Sequence, residues 1–331
     1  MVEVSIVIPA YNSEKTIEKT LKAVLSQKFP KNKYEIIVVD DGSNDRTRKI
    51  VKKFKKIKLL RQKHRGPATA RNLGVEKSRG EIILFTDADC IPNKNWIKNM
   101  TIPFKNTNTV GVAGTYKTLN KQSLIARFVG YEIEERHERI KRKKYIDFIG
   151  TYSAAYRKDI FLKFKGFDDR FSMASGEDPD FSFRISKAGL RIVFQPNAFV
   201  FHSHPSNLLK YLKQKYDRAF WKVLLYRKHP KKMFGDVYTP RTLFLQVYFT
   251  ELGLVSLLLT LIQSWFLYSF LIFIFLSLLL NYRFYFYVWK KEKPVAIISP
   301  FIFLLRNIYS IVAIMHGMLY FLISEKFNDK N

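Results

Sequence analysis

The chain has 331 residues, enough for two domains, and carries 57 Lys and Arg against 28 Asp and Glu, a formal net charge of +29. A single cysteine, Cys90, excludes an internal disulfide and suits a reducing compartment. The basic excess points to nucleic acid, anionic lipid or phosphorylated substrates.

Taken in order, Glu3 to Ile8 alternates and breaks at Pro9, a first strand feeding the loop Ala10-Tyr11-Asn12-Ser13. That strand is too short for a signal peptide. Ile17, Leu21, Val24 and Leu25 share one helical face, and Glu35 to Val39 is a second, buried strand ending in Asp40-Asp41-Gly42-Ser43. A basic helix around Ile50 and Phe54, a strand from Ile57 to Leu60 and a helix opened by Pro67 continue the alternation. Ile82-Ile83-Leu84-Phe85 is apolar throughout, the pattern of a parallel strand buried on both faces, and it runs into Asp87 and Asp89. Alternating strands and helices imply a mostly parallel, Rossmann-like α/β sheet, whose ligands bind at the carboxyl ends of the strands. Asp40, Asp87, Asp89 and Arg71 then converge on one crevice. Two carboxylates one residue apart can share a hard divalent cation and leave coordination places open for phosphate oxygens.

Further on, Lys121 to Lys144 carries Leu124, Ile125, Phe128, Val129 and Ile133 on one side and then turns charged, which fits a helix at a membrane surface or one packed on the core. Glu177-Asp178-Pro179-Asp180 opens another helix; Pro179 suits its first position, making Asp178 the N-cap and Arg184 the partner of an acid. His202, and less favourably His204, ends a later strand where imidazole can join a metal shell. From Leu208 to Leu225 apolar residues recur every four positions opposite lysines, a basic amphipathic helix on which Gln214 and Arg218 can reach a phosphate.

Beyond Arg241 the composition changes. Leu243 to Ile262 holds one charged residue, Glu251, and Trp265 to Leu280 holds none. The first run is about 30 Å long as a helix, enough to cross a hydrocarbon core. Two spanning helices are expected, with the Gln263-Ser264 turn on the far side. The third run, Val295 to Ile323, is interrupted by Pro300 and Arg306 and spans, breaks or lies re-entrant. Basic clusters at Arg139 to Lys144, Arg227 to Lys232, and Lys290, Lys291 and Lys293 place the polar half in the cytoplasm by the positive-inside rule. The expected divisions are a catalytic domain at 1-204, an interfacial helix and linker at 205-241, a transmembrane region at 242-323 and a tail at 324-331.

Ile8-Pro9-Ala10-Tyr11-Asn12, Val39-Asp40-Asp41-Gly42-Ser43-Asn44-Asp45, Ala70-Arg71-Asn72-Leu73-Gly74, Thr86-Asp87-Ala88-Asp89 and Gly176-Glu177-Asp178-Pro179-Asp180 occur in an order that resembles family 2 glycosyltransferases. The resemblance covers about residues 3 to 230. It implies a GT-A fold, Mn²⁺ or Mg²⁺, inversion at the anomeric carbon and a UDP- or GDP-linked sugar donor. Carried over by motif, Pro9, Tyr11, Asp40, Arg71, Asp87 and Ala88 bind the nucleotide sugar, with Asp40 reading the base. Asp89, with Asp87 and His202, holds the metal. Asp178 is the general base and Glu177 positions its neighbours. Gly150 to Arg157 resembles the acceptor-side segment, with Tyr152 where many members have Asn.

The expectation is a membrane-bound, multi-pass inverting glycosyltransferase acting at an anionic membrane surface on a hydroxyl of a polyprenyl-linked saccharide. A dolichyl-phosphate sugar synthase is the alternative, but Cys90-Ile91-Pro92 departs from that group's Leu-Gln-His continuation. A nucleic-acid-binding membrane protein is remoter, since the polar half shows no recognition module, so no nucleic-acid partner is expected. A glycosidase using Glu177 and Asp178 fails because adjacent residues do not flank one bond at roughly 5–9 Å.

Overall fold

A computed structural model describes residues 2–171 and 175–324, so the expected tail from 325 onward lies outside the described residues. The chain divides into two compact units: one runs to Leu119 and resumes from His137 to Ser203; the other comprises Asn120–Arg136 and the chain from His204. The expected 1-204 domain therefore gives up residues 120–136 to the second unit.

The first unit begins β1 (Val4–Ala10), α1 (Ile17–Leu25), β2 (Tyr34–Asp40), α2 (Thr47–Val51), β3 (Ile57–Arg61), α3 (Pro67–Glu76) and β4 (Ile82–Phe85). These match the alternation read from sequence. β1, β2 and β4 are nearly continuous apolar runs because both faces of the sheet are covered: Ile6, Val7, Ile8, Ile37, Val38 and Leu84 are all fully buried. Gly74 on α3 faces β1 so closely that a Cβ there would sit 2.3 Å from Val7 Cγ1. Then follow β5 (Ile91–Pro92), α4 (Trp96–Thr101), β6 (Thr109–Thr118), α5 (Leu124–Ile140, which passes into the second unit as far as Arg136), β7 (Ala154–Arg157), α6 (Lys158–Lys163), α7 (Glu177–Lys187) and β8 (Arg191–His202). The sheet order is β3-β2-β1-β4-β7-β6-β8-β5. β1 is parallel to β2 and β4, and β6 to β8, whereas β7 is antiparallel to both its neighbours and β5 antiparallel to β8. Four of the seven pairings, β2 with β3 included, are parallel, so the sheet is mostly parallel as expected, with β7 and β5 as its antiparallel strands.

The second unit is helical: α8 (Leu208–Lys228), α9 (Arg241–Leu259), α10 (Phe266–Leu279), α11 (Tyr282–Trp289) and α12 (Lys293–Ile323) join the first part of α5. α12 continues through Pro300 without a break. α8 lies beside the second half of α12. Tyr216 Oη is 2.6 Å from His316 Nδ1, Phe220 packs on Tyr320 and Phe321, and Gly317 leaves room for the Phe220 carbonyl. α9 and α10 form an antiparallel hairpin, with Gly253 against Ile274 and Thr250 Oγ1 2.8 Å from Ser277 Oγ. α9 and α12 are long and apolar enough to cross a membrane, and α10 qualifies only together with α11, from which it is bent by 55°.

Candidate active site

The carboxyl ends of β1, β2 and β4 open on one side of the first unit. After β1, Tyr11 is exposed and its ring stacks on His64, 4.0 Å between centroids and 21° from parallel. Asp40, closing β2, is fully buried: Oδ1 accepts from the Ser43 amide at 3.3 Å, and Oδ2 has no hydrogen-bond partner, with Arg48 Nε 3.4 Å away. A buried acceptor without a donor is costly unless a ligand supplies one. The next residue, Asp41, is a structural organiser: its carboxylate accepts from the amides of Arg65 and Gly66 at 2.9 and 3.0 Å and from Gln62 Nε2 at 2.6 Å, and meets His64 Nδ1 at 2.9 Å. Gly42, at φ +77°, lies against the His64 backbone where a Cβ would stand 2.8 Å from its nitrogen. Asp41, Gly42 and the loop 62–66 thus hold His64 under Tyr11. His64 carries no local sequence signal, because its partners Asp41 and Tyr11 lie more than twenty residues away.

After β4, Asp87 and Asp89 have separate partners. Asp89 is half-exposed, and its Oδ2 is 3.2 Å from His202 Nε2 at the end of β8. Burial tends to raise the Asp89 carboxyl, but the hydrogen bond and charge of His202 outweigh it and leave it below its usual range. Among the described residues, the donor atoms that gather within 4.8 Å of one another here belong to Asp89, His202 and Cys90. The Cys90 thiol is buried, and burial together with Asp87 and Asp89 pushes its pKa well up. One carboxylate and one imidazole, both reachable from solvent, suit a divalent cation that keeps places for phosphate oxygens. His204, the weaker candidate, falls in the second unit, where its amide donates to Asn120 Oδ1.

Asp87 is tied instead to Arg71. This guanidinium is 2 % exposed; Nη2 donates to Asp87 Oδ1 and Nη1 to Glu177 Oε1, each at 2.8 Å. Burial would lower the Arg71 pKa, but Asp87 and Glu177 hold it raised. Glu177 is buried as well, and its second oxygen takes the amides of Ser175 and Gly176 at 3.0 and 3.1 Å. The expectation that Asp178 caps this helix is corrected: α7 starts at Glu177 with Gly176 as its N-cap, and Asp178 and Pro179 both sit in the first turn. First-turn amides need no intrahelical acceptor, so Pro179 is tolerated there. Arg184 pairs with buried Asp180 at 3.0 Å, as expected. Arg71, assigned by resemblance to the nucleotide pocket, is therefore the bridge between Asp87 and the start of α7.

Beside His202 the ring of Tyr116, on β6, lies 5.1 Å away, and Tyr152 stacks on Tyr116 at 3.4 Å. Gly150 permits this, since a Cβ there would be 2.2 Å from the Tyr152 ring. Tyr116 was not anticipated. Pro9, the penultimate residue of β1, is paired with Val39 of β2, and the Ala88 carbonyl accepts from Thr20 Oγ1 at 3.0 Å. Gln214 and Arg218 lie on α8 in the second unit.

Residues 5–164 match the model of the family described as Glycosyl transferase family 2. Glycosyltransferase AglE of Haloferax volcanii is 30% identical over 210 residues, 61% of this chain and 67% of that protein. The dolichyl N-acetyl-alpha-D-glucosaminyl phosphate 3-beta-D-2,3-diacetamido-2,3-dideoxy-beta-D-glucuronosyltransferase of Methanococcus voltae is 26% identical over 245 residues, 68% of this chain and 74% of that one. Against some longer relatives the chain spans about half their length. The mannosyltransferase PcManGT of Pyrobaculum calidifontis, solved with GDP-Man and Mn²⁺, shares the fold at a TM-score of 0.63 and 18% identity over 96% of this chain and 87% of that one. By motif order, mixed GT-A sheet and these likenesses, the chain belongs to glycosyl transferase family 2 and is a glycosyltransferase.

Proposed function

We propose that the chain moves a hexose from a UDP- or GDP-linked donor, with inversion, to a hydroxyl of a polyprenyl-linked saccharide at the cytoplasmic face of a membrane. The observation that carries this reading is Arg71 joining Asp87 to Glu177, because it draws the end of β4 and the start of α7 to one crevice beside the Asp89 and His202 pair. Asp40, whose buried Oδ2 accepts no hydrogen bond, receives a base N–H, and Tyr11 on His64 offers the base an aromatic face. Asp89 and His202 hold Mn²⁺, or less favourably Mg²⁺, since an imidazole ligand suits manganese better. The cation supplies Lewis-acid stabilisation of the leaving diphosphate. Asp178 accepts the acceptor's proton while Glu177, locked by Arg71 and two amides, fixes the helix start that carries it.

The Methanococcus relative's name records a dolichyl-linked substrate, and the apolar helices of the second unit support a membrane-bound acceptor. The test is transfer by membranes carrying the full chain, scored by mass spectrometry over a panel of nucleotide sugars with polyprenyl-linked saccharides and bare polyprenyl phosphate. Product on the saccharide hydroxyl supports the reading. A phosphate oxygen needs no base, so bare polyprenyl phosphate as the best acceptor would replace it with the sugar-phosphate synthase.

A further inference from the structure

The three apolar segments of the second unit do not have equivalent surroundings. α12 is 31 residues long, yet its second half runs beside α8, which carries Lys210, Lys213, Lys215, Arg218, Lys222, Arg227 and Lys228. Arg306, near the middle of α12, faces Glu132 at 3.6 Å, and Glu132 in turn holds Lys215 at 3.0 Å. Were α12 to cross a bilayer, this charged helix would have to enter with it, at roughly 2.5–3.5 kcal/mol for each cation near the centre. A pair with cations on one member and an apolar stripe on the other, Phe301, Val312, Met315 and Leu319, instead suits the surface of an anionic leaflet.

The hairpin of α9 and α10 meets α12 at a polar joint. There Arg306 donates to Gln246 Oε1, and Asn307 Nδ2 donates to Thr250 Oγ1 at 3.1 Å and Ser277 Oγ at 3.2 Å. Beyond this joint the outside of the hairpin is apolar apart from Glu251, next to the joint, and the Gln263-Ser264 turn, with Leu258, Leu261, Ile262 and Tyr268 each two-thirds exposed or more. From Thr250 to Leu261 is about 17 Å of helix, against a hydrocarbon core of about 30 Å. α10 has only 14 residues, in the range of re-entrant segments rather than spans. α11 does not extend it, since it bends away by 55° and packs Phe284 against Phe128 and Phe303.

Resting on the membrane-bound reading above, we infer that α8 and α12 lie along one leaflet and that the α9–α10 hairpin enters it and turns back within the hydrocarbon. The chain then grips one leaflet, in place of the multi-pass arrangement expected from hydropathy. The Gln263-Ser264 turn ends inside the bilayer instead of on the far side.

The experiment uses the full chain in sealed right-side-out and inverted membrane vesicles. Native Cys90 is buried, so Gln263→Cys, Ser264→Cys and, as a surface control, Lys231→Cys each add one reactive thiol. An impermeant maleimide should label Lys231→Cys in one vesicle orientation and the two turn variants in neither, until detergent exposes them. The part of the tryptophan fluorescence that is lost on Trp265→Phe should be quenched more by lipids brominated deep in the acyl chain than by shallow ones. Turn labelling from the face opposite Lys231→Cys establishes a crossing and overturns the proposal. Turn labelling from the same face shows that the hairpin does not insert and overturns it equally. Sugar transfer measured in the same vesicles reports on the proposed function independently of either result.

Discussion

Two buried arginines show how differently the two units use one side chain. Arg71 in the first unit is held by two carboxylates at 2.8 Å each, one of them fully buried. Arg306 in the second unit is held mainly by neutral amide oxygens, Gln246 Oε1 and Asn307 Oδ1, with its nearest carboxylate contact at 3.6 Å. The first arrangement fixes the positions of two acids in a site that needs charge. The second joins three helices by hydrogen bonds to amide oxygens, its charge facing the Glu132 that Lys215 also holds.

The largest way to break this comparison is Arg71→Met, which leaves Glu177 buried without a cation. Removing one partner of a buried pair costs about 3–5 kcal/mol, so equilibrium unfolding should show a loss of that size together with loss of transfer. Adding Glu177→Gln should recover part of the stability and none of the turnover. Next, Asp178→Asn should lower turnover by at least about 10²-fold with little change in donor affinity, because the interaction lost belongs to the transition state. Full activity of that variant would remove Asp178 as the base. Arg306→Met should cost less, about 1–3 kcal/mol, since the groups left behind are neutral amides and a Glu132 still paired with Lys215. Its effect should appear in thermal unfolding, with donor affinity unchanged because that site belongs to the other unit. Smallest is Tyr216→Phe, which deletes one bond to His316 between α8 and α12 and should cost about 0.5–1.5 kcal/mol.

What the sequence revealed follows the same division. β1, β2 and β4 were legible because strands covered on both faces are apolar without interruption, and the acids at their ends stand out against such runs. His202 was legible as a histidine closing a strand. β6 was not: Thr-Val-Gly-Val-Ala-Gly-Thr is small and glycine-rich, and its strand character depends on neighbours, with Gly111 and Gly114 admitting the Tyr156 ring and Ser153. The bridge at Arg71 was equally hidden, since its partners are 16 and 106 positions away and no local pattern joins them. The start of α7 was misplaced by two residues because Pro179 fits anywhere in a first turn. In the second unit hydropathy found the apolar segments but not their partners. That α12 packs on a basic helix, and that α10 bends away into α11, are tertiary facts.

The central claim, sugar transfer from a nucleotide donor bound through a cation at Asp89 and His202, is tested most directly by cation-dependent turnover in membranes of the full chain. The parent should lose transfer in excess chelator and regain it with Mn²⁺, His202→Ala should need more Mn²⁺ for the same rate, and Asp89→Asn should stay inactive at any concentration. Full transfer by the parent in excess chelator, or by Asp89→Asn, would contradict the account.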